Sequence, residues 1–117
     1  MRYNDVVQTP PALLAGNASN VAVFETLCAR LQEIGPFQIE EKKTSLHIKA
    51  ARAAFLGVHP RRTGLRINIV LAEGLTSGRV VKSEQVSANR WHNEVDVKDS
   101  SDVDTELTGW IRQAYER

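Results

Sequence analysis

The run Leu65–Leu71, LRINIVL, limits the fold of this chain more than any other stretch. Leu65, Ile67, Ile69 and Leu71 recur at every second position, with Arg66, Asn68 and Val70 between them. That period belongs to a strand with one buried face; on a helix the same residues would scatter around the axis. A lone strand is not stable in water, so the chain must supply partners and build a sheet. The first partner lies immediately upstream. Residues 53–59 form an apolar run ending in His59, and His59-Pro60-Arg61-Arg62-Thr63-Gly64 has turn chemistry. Pro60 fixes its own φ and disfavours helix at His59, and Gly64 permits a positive φ where the next strand begins.

Further extended segments follow from the same signal. Phe37–Lys42 is a short one; Leu46, Ile48 and Ala50 alternate with His47 and Lys49 in another. Arg79–Ser87 is a strand of unfixed register, because Val80 and Val81 point to opposite faces. Trp91–Val97 sets Trp91, Val95 and Val97 against His92, Glu94 and Asp96. The period changes at both ends of the chain. Val21, Phe24, Leu27, Cys28, Leu31 and Ile34 make one helical stripe, capped by Ser19 or Asn20 and stopped by Gly35-Pro36, with glycine expected in the left-handed region. Val103, Leu107, Trp110, Ile111 and Ala114 make a second stripe, with Ser101 the expected cap and Asp104 three residues on completing a capping-box variant. Gly109 inside that helix suggests close packing against the sheet, since glycine there costs about 1 kcal/mol relative to alanine.

The expected fold is α+β: an N-terminal helix, an antiparallel meander of four to five strands and a C-terminal helix, with both helices on one sheet face. A stripe on each helix can cover that face, and the strand alternation leaves the other face wet. Residues 1–17, with Pro10, Pro11 and Gly16, read as an arm with one short turn near Ala12–Ala15; 18–117 read as a single domain. Trp91 and Trp110 fall in register with the apolar stripes and are expected in the core.

Composition narrows the function classes. No apolar run approaches the roughly 20 residues that span a bilayer, and the N-terminus lacks a secretory pattern, so no membrane partner is expected. One cysteine, Cys28, forms no intrachain disulfide and fits a reducing cytoplasm. Asn17-Ala18-Ser19 matches a glycosylation sequon by chance in that setting. The net charge of +1 hides an asymmetry. Between Lys42 and Arg66 stand seven basic and no acidic residues; between Glu94 and Glu106, six acidic residues face Lys98 alone. One surface is therefore expected to be basic and another acidic, which also permits homo-oligomers, one copy's basic patch meeting another's acidic helix start.

The candidate binding residues are Arg52, His59, Arg61, Arg62 and Arg66. Guanidinium forks at a hairpin tip suit phosphate or carboxylate, and the competing explanation is a solvated turn. The tip has no aromatic residue for base stacking, and no helix-turn-helix or zinc-finger pattern accompanies it. His47, His59 and His92 have no metal-ligand spacing, and Cys28 sits on a core stripe, so neither a metal site nor a cysteine nucleophile is expected. No phosphate-binding glycine loop or nucleophile elbow is present, and no cofactor is implied.

VHPRRTGLRINIVL at 58–71, the strand opening RVVK, the RWH that follows and the closing SSDVDTELTGWIRQAYER together resemble a bacterial domain of unknown function. That domain also stands at the C-terminal end of longer proteins labelled "predicted transport protein". The resemblance covers roughly 20–117 and implies a small cytoplasmic α+β domain with no assigned activity. Its members often carry a histidine at the start of the last strand, in register with the apolar residues. In this chain that register falls on Asn93, and His92 falls on the opposite face.

Two functions follow from the residues. The leading one is a non-catalytic cytoplasmic module whose basic hairpin engages an anionic ligand, nucleic acid or an acidic protein surface. The alternative is a small enzyme with a site at His59 and His92 on the open sheet face, which requires a concave pocket where a histidine meets a second polar group.

Overall fold

A computed structural model describes residues 9–51 and 53–117. Arg52 and residues 1–8 of the N-terminal arm lie outside the described residues. The elements are helix α1 (Ala18–Ile34), strands β1 (Gln38–Glu41), β2 (Leu46–Lys49), β3 (Ala54–Pro60), β4 (Leu65–Leu71), β5 (Val80–Ser87) and β6 (Arg90–Val97), and helix α2 (Thr105–Glu116). A 3-10 turn, Ser100–Asp102, precedes α2. The fold is α+β, with both helices against the apolar face of one antiparallel sheet.

The sheet has six strands, not four to five, in the order β1-β2-β3-β4-β6-β5. The expected meander holds through β4 and then breaks, because β6 inserts between β4 and β5. The side chains explain the exchange. Trp91, Asn93, Val95 and Val97 of β6 stand opposite Leu71, Ile69, Ile67 and Leu65 of β4 and extend its apolar row. β5, VVKSEQVS, is exposed along almost its whole length and suits only an edge. Residues 72–79 must therefore cross over β6. Two bulges, at Val81 and Val86, interrupt β5 against β6 and account for its illegible register.

A third bulge shapes the centre. Ile48 pairs with Leu56 and Lys49 with Ala54, so Phe55 is an extra residue in β3. Phe55 and Leu56 consequently both turn to the core, where the Phe55 ring meets Tyr115 edge-on at 5.2 Å. Phe24, Leu27, Leu31, Ile67, Ile69, Leu107 and Ile111 fill the space between sheet and helices. Each such side chain contributes about 1.5–3 kcal/mol of burial.

The helix ends differ from the expected caps. Asn17 caps α1, its side chain accepting from the Asn20 amide at 3.0 Å. Gly35, with φ 165°, is extended rather than left-handed. A Cβ there would run into the Tyr115 hydroxyl, which donates to the Pro36 carbonyl, so a side chain at this position would have to displace the end of that ring. Asp104, not Ser101, caps α2 by accepting from the Leu107 amide, while Asp99 and Asp102 box the 3-10 turn. A Cβ at Gly109 would meet nothing within 4 Å, so this glycine marks no close contact with the sheet. Trp91 and Trp110 are half-buried. The crossover at Gly74 covers the first, and the Arg79 guanidinium lies 5.8 Å from the ring centre of the second. Residues 11–15 form the expected short turn, and its Leu14 enters the core. Among the described residues, no helix is long and apolar enough to cross a membrane.

Candidate functional site

The hairpin between β3 and β4 is held from below by α1. Asn20, 2% exposed, donates through Nδ2 to the Arg61 carbonyl and accepts from the Gly64 amide at Oδ1, each at 2.8 Å. Asn17 donates to the Arg62 carbonyl at 3.2 Å. Within the turn, the Arg61 amide donates to the Gly64 carbonyl. Gly64 has the expected positive φ, +87°, and a Cβ there would also stand 2.4 Å from the Val97 carbonyl oxygen. Backbone and helix thus fix the turn, and its side chains are not needed to hold it. Arg61 and Arg62 are exposed, and neither forms an ion pair among the described residues.

The remaining cationic candidates behave differently. Arg66 makes a two-pronged pair with Asp96, Nε to Oδ1 at 2.8 Å and Nη2 to Oδ2 at 3.0 Å. Those bonds hold the Asp96 carboxyl below its ordinary range. Lys42 and Lys49 both pair with Glu40, driving its pKa down to about 2. The acidic stretch is committed as well: Asp99, Asp102 and Asp104 serve in caps, and Asp104 and Glu106 bind Arg79. The expected division into one basic and one acidic surface therefore shrinks to the two arginines of the tip with Lys43 upstream of them in sequence. Arg52 lies outside the described residues.

The open face of the sheet carries the second group. One row across it runs Glu40, His47, Gly57, Asn68, Glu94 and Lys82 through all six strands. On one side of that row lie His59, Arg66 and Asp96; on the other lie Val70, His92 and Glu84. Gly57 supplies no side chain at the centre. The result is a shallow depression of about 140 Å³ lined by His47, His59, His92, Asn68, Arg90 and the apolar Val70, among others. All three histidines of the chain thus meet one concavity from three different strands.

Its polar groups are unevenly satisfied. Arg90 Nε donates to His92 Nε2 at 3.3 Å, which places the proton of the neutral ring on Nδ1. Burial, then the Arg90 charge, lowers the His92 pKa against the opposing pull of Glu84 and Glu94. Asn68 Oδ1 is buried and has no hydrogen-bond partner. An acceptor in that condition costs about 1–3 kcal/mol. Among the described residues no group of His, Cys, Asp and Glu side chains is arranged to hold a metal ion. Cys28 is fully buried in α1, and burial pushes its thiol up to about 12, so it is no nucleophile at neutral pH.

Sequence parity placed His92 on the polar phase of its strand and Asn93 on the apolar phase, and the structure has them so. Asn93 is completely buried and accepts at Oδ1 from the Leu75 amide (2.9 Å) and the Ser83 hydroxyl (2.7 Å). Its Nδ2 donates to the Ile69 and Glu73 carbonyls. This side chain pins the crossover to the sheet. Sequence reasoning missed Asn68, Arg90, Gly57 and the grouping of His47 with the other two histidines. Parity alone assigns His47, Asn68 and Arg90 to polar phases; only the pairing of strands brings them together.

A family model described as "Domain of unknown function (DUF5655)" matches residues 12–117, and the chain belongs to that family. No curated protein and no solved structure matches it.

Proposed function

We propose that this member of a family without an assigned activity is a small binding module that presents Arg61 and Arg62 to an anionic partner. Nucleic acid, an acidic protein surface and a smaller anionic ligand are the partner chemistries it suits. One observation carries the proposal. The tip's backbone is fixed by Asn17 and Asn20, while its two guanidinium groups have no carboxylate within ion-pair distance among the described residues, and Asp96 feels Arg61 only as a charge at longer range. Arg30, Arg66 and Arg79, by contrast, all have one. A rigid turn with two uncommitted forks loses little conformational freedom on binding and satisfies phosphate or carboxylate in two places. Arg66, neutralised by Asp96, is not part of this surface.

A double variant, Arg61→Glu with Arg62→Glu, tests it. Retention on heparin and affinity for a short single-stranded oligonucleotide are expected to fall more than about tenfold. For nucleic acid, the slope of log affinity against log salt should drop by about 2, one counterion for each lost contact. Retention that survives the double variant would reject the hairpin as the contact. The alternative, a small enzyme using His59 and His92, draws support from the concavity and from the approach of Arg90 to His92.

A further inference from the structure

We infer that the histidine-lined depression on the open sheet face binds a protonated oxyanion, the hydrogen phosphate ion or a phosphomonoester group. The inference rests on His47, His59, His92, Asn68, Arg90 and Gly57, and on none of the hairpin arginines. It stands whether or not the hairpin reading survives.

Most carboxylates of that face are already paired. Glu40 is paired with Lys42 and Lys49, Asp96 with Arg66, and Glu84 with Lys82. Glu94, the remaining carboxylate, stands between Asn68 and Lys82 in the strand register. Arg90 has no carboxylate within ion-pair distance among the described residues, and its Nε reaches only the His92 ring. The depression therefore holds an uncommitted guanidinium beside imidazoles that present N–H groups. Both are donors suited to anionic oxygen.

Asn68 adds the opposite requirement. Its Oδ1 is the one buried side-chain acceptor among the described residues without a hydrogen bond, and it needs a donor. A carboxylate or a sulfate ion offers acceptors alone at neutral pH. Hydrogen phosphate and a singly protonated phosphomonoester offer both: anionic oxygens for Arg90 and the imidazoles, and a P–OH for Asn68 Oδ1. The ligand reaches that oxygen by turning the amide, since Nδ2 is the atom nearer the Gly57 floor and Oδ1 is shielded from solvent. Size agrees with that class. About 140 Å³ with a glycine floor admits a phosphate group and little beyond it, so the rest of an ester would lie over the open face.

The test is a titration of the whole chain, followed by backbone and side-chain amide NMR, with inorganic phosphate, sulfate and a 5′-mononucleotide as separate probes. Saturable shifts at Gly57, Asn68 and His92 are expected with phosphate, and at least about tenfold weaker binding with sulfate, which leaves the Asn68 acceptor without a donor. Tighter binding of the nucleotide would support the site and identify an ester as the ligand; tighter binding of inorganic phosphate would support it and identify the free ion. Two variants give controls. Arg90→Ala removes the guanidinium. Gly57→Ala fills the floor with a Cβ at ordinary contact distance, 3.6 Å from Asn68 Cβ and 3.7 Å from His59 Nε2, so the fold tolerates it. Both should reduce the phosphate affinity read at Gly57, Asn68 and His92 about tenfold or more. Shifts confined to residues 61–64, equal affinity for sulfate, or no saturable shift at all would overturn the inference.

Discussion

Asn20 and Asn93 lie on the helix side of the sheet, and Asn68 lies on the open side. The first two are almost completely inaccessible, and every side-chain oxygen and nitrogen they carry is bonded. Asn20 ties a helix start to a hairpin; Asn93 ties a crossover to a strand. Asn68 sits in the middle of β4 and leaves its oxygen without a donor. The same amide is thus a structural clasp on one side and an unmet demand on the other. A buried polar group without a partner in the fold calls for an explanation, and the ligand proposed for the open face supplies one.

The largest effect is expected from breaking a clasp. Asn20→Ala would strand the Gly64 amide and the Arg61 carbonyl together in a buried junction. At about 1–3 kcal/mol for each orphaned group, the variant should lose about 3 kcal/mol in urea unfolding. It should also blur the amide spectrum of residues 61–64. A loss under about 1 kcal/mol would mean that the turn holds itself and that α1 merely lies beside it.

These clasps were invisible in the sequence for a physical reason. The stripe from Val21 to Ile34 and the alternation from Leu65 to Leu71 are local periods, and both elements formed where the periods put them. Gly64 was legible too, because a positive φ after a Pro-containing turn is local chemistry. The bond from Asn20 to Gly64 closes 44 residues, and the Arg66–Asp96 pair closes 30, and no local pattern encodes either partner. Arg66 looked free only because Asp96 had not yet been brought beside it. The meander failed at β5 for a related cause. Connection length said that β5 could pair with β4, while the polar content of KSEQVS said that it should not, and burial prevailed. The site suffered most: each histidine could be given a face, but three faces become one depression only when strand order and the Phe55 bulge are known.

The intermediate effect comes from Asn68, and its sign is the sharper part. Asn68→Val removes an unsatisfied acceptor and places a β-branched side chain in a central strand. It should stabilise the protein by up to about 1 kcal/mol while abolishing phosphate binding. A polar residue that costs stability and whose removal costs affinity is held there by its ligand. Destabilisation by more than about 1 kcal/mol would put Asn68 among the clasps and erase the contrast.

The smallest effect is a pH dependence, and it isolates His92. Burial and the adjacent Arg90 lower its folded pKa, with Glu84 and Glu94 opposing, so the unfolded chain binds that proton more readily than the folded one. The stability tied to neutral His92 is complete above the unfolded value near 6.5 and is lost as pH falls through the folded pKa. The carboxylates held low by their partners, Glu40, Asp96 and Asp104, contribute with the same sign but lower on the pH scale. Their share is complete above their ordinary range near 4 and is lost as pH falls from there through their folded values. Between pH 7.5 and 5 the His92 contribution therefore stands apart from theirs. Urea unfolding across that interval should show the wild type losing more stability than His92→Gln, with the two curves converging in slope above pH 7. Parallel curves throughout would mean that the imidazole is as well solvated folded as unfolded. The open face would then offer no desolvated pocket for a ligand, and the difference between the two sides of the sheet would reduce to which one the helices cover.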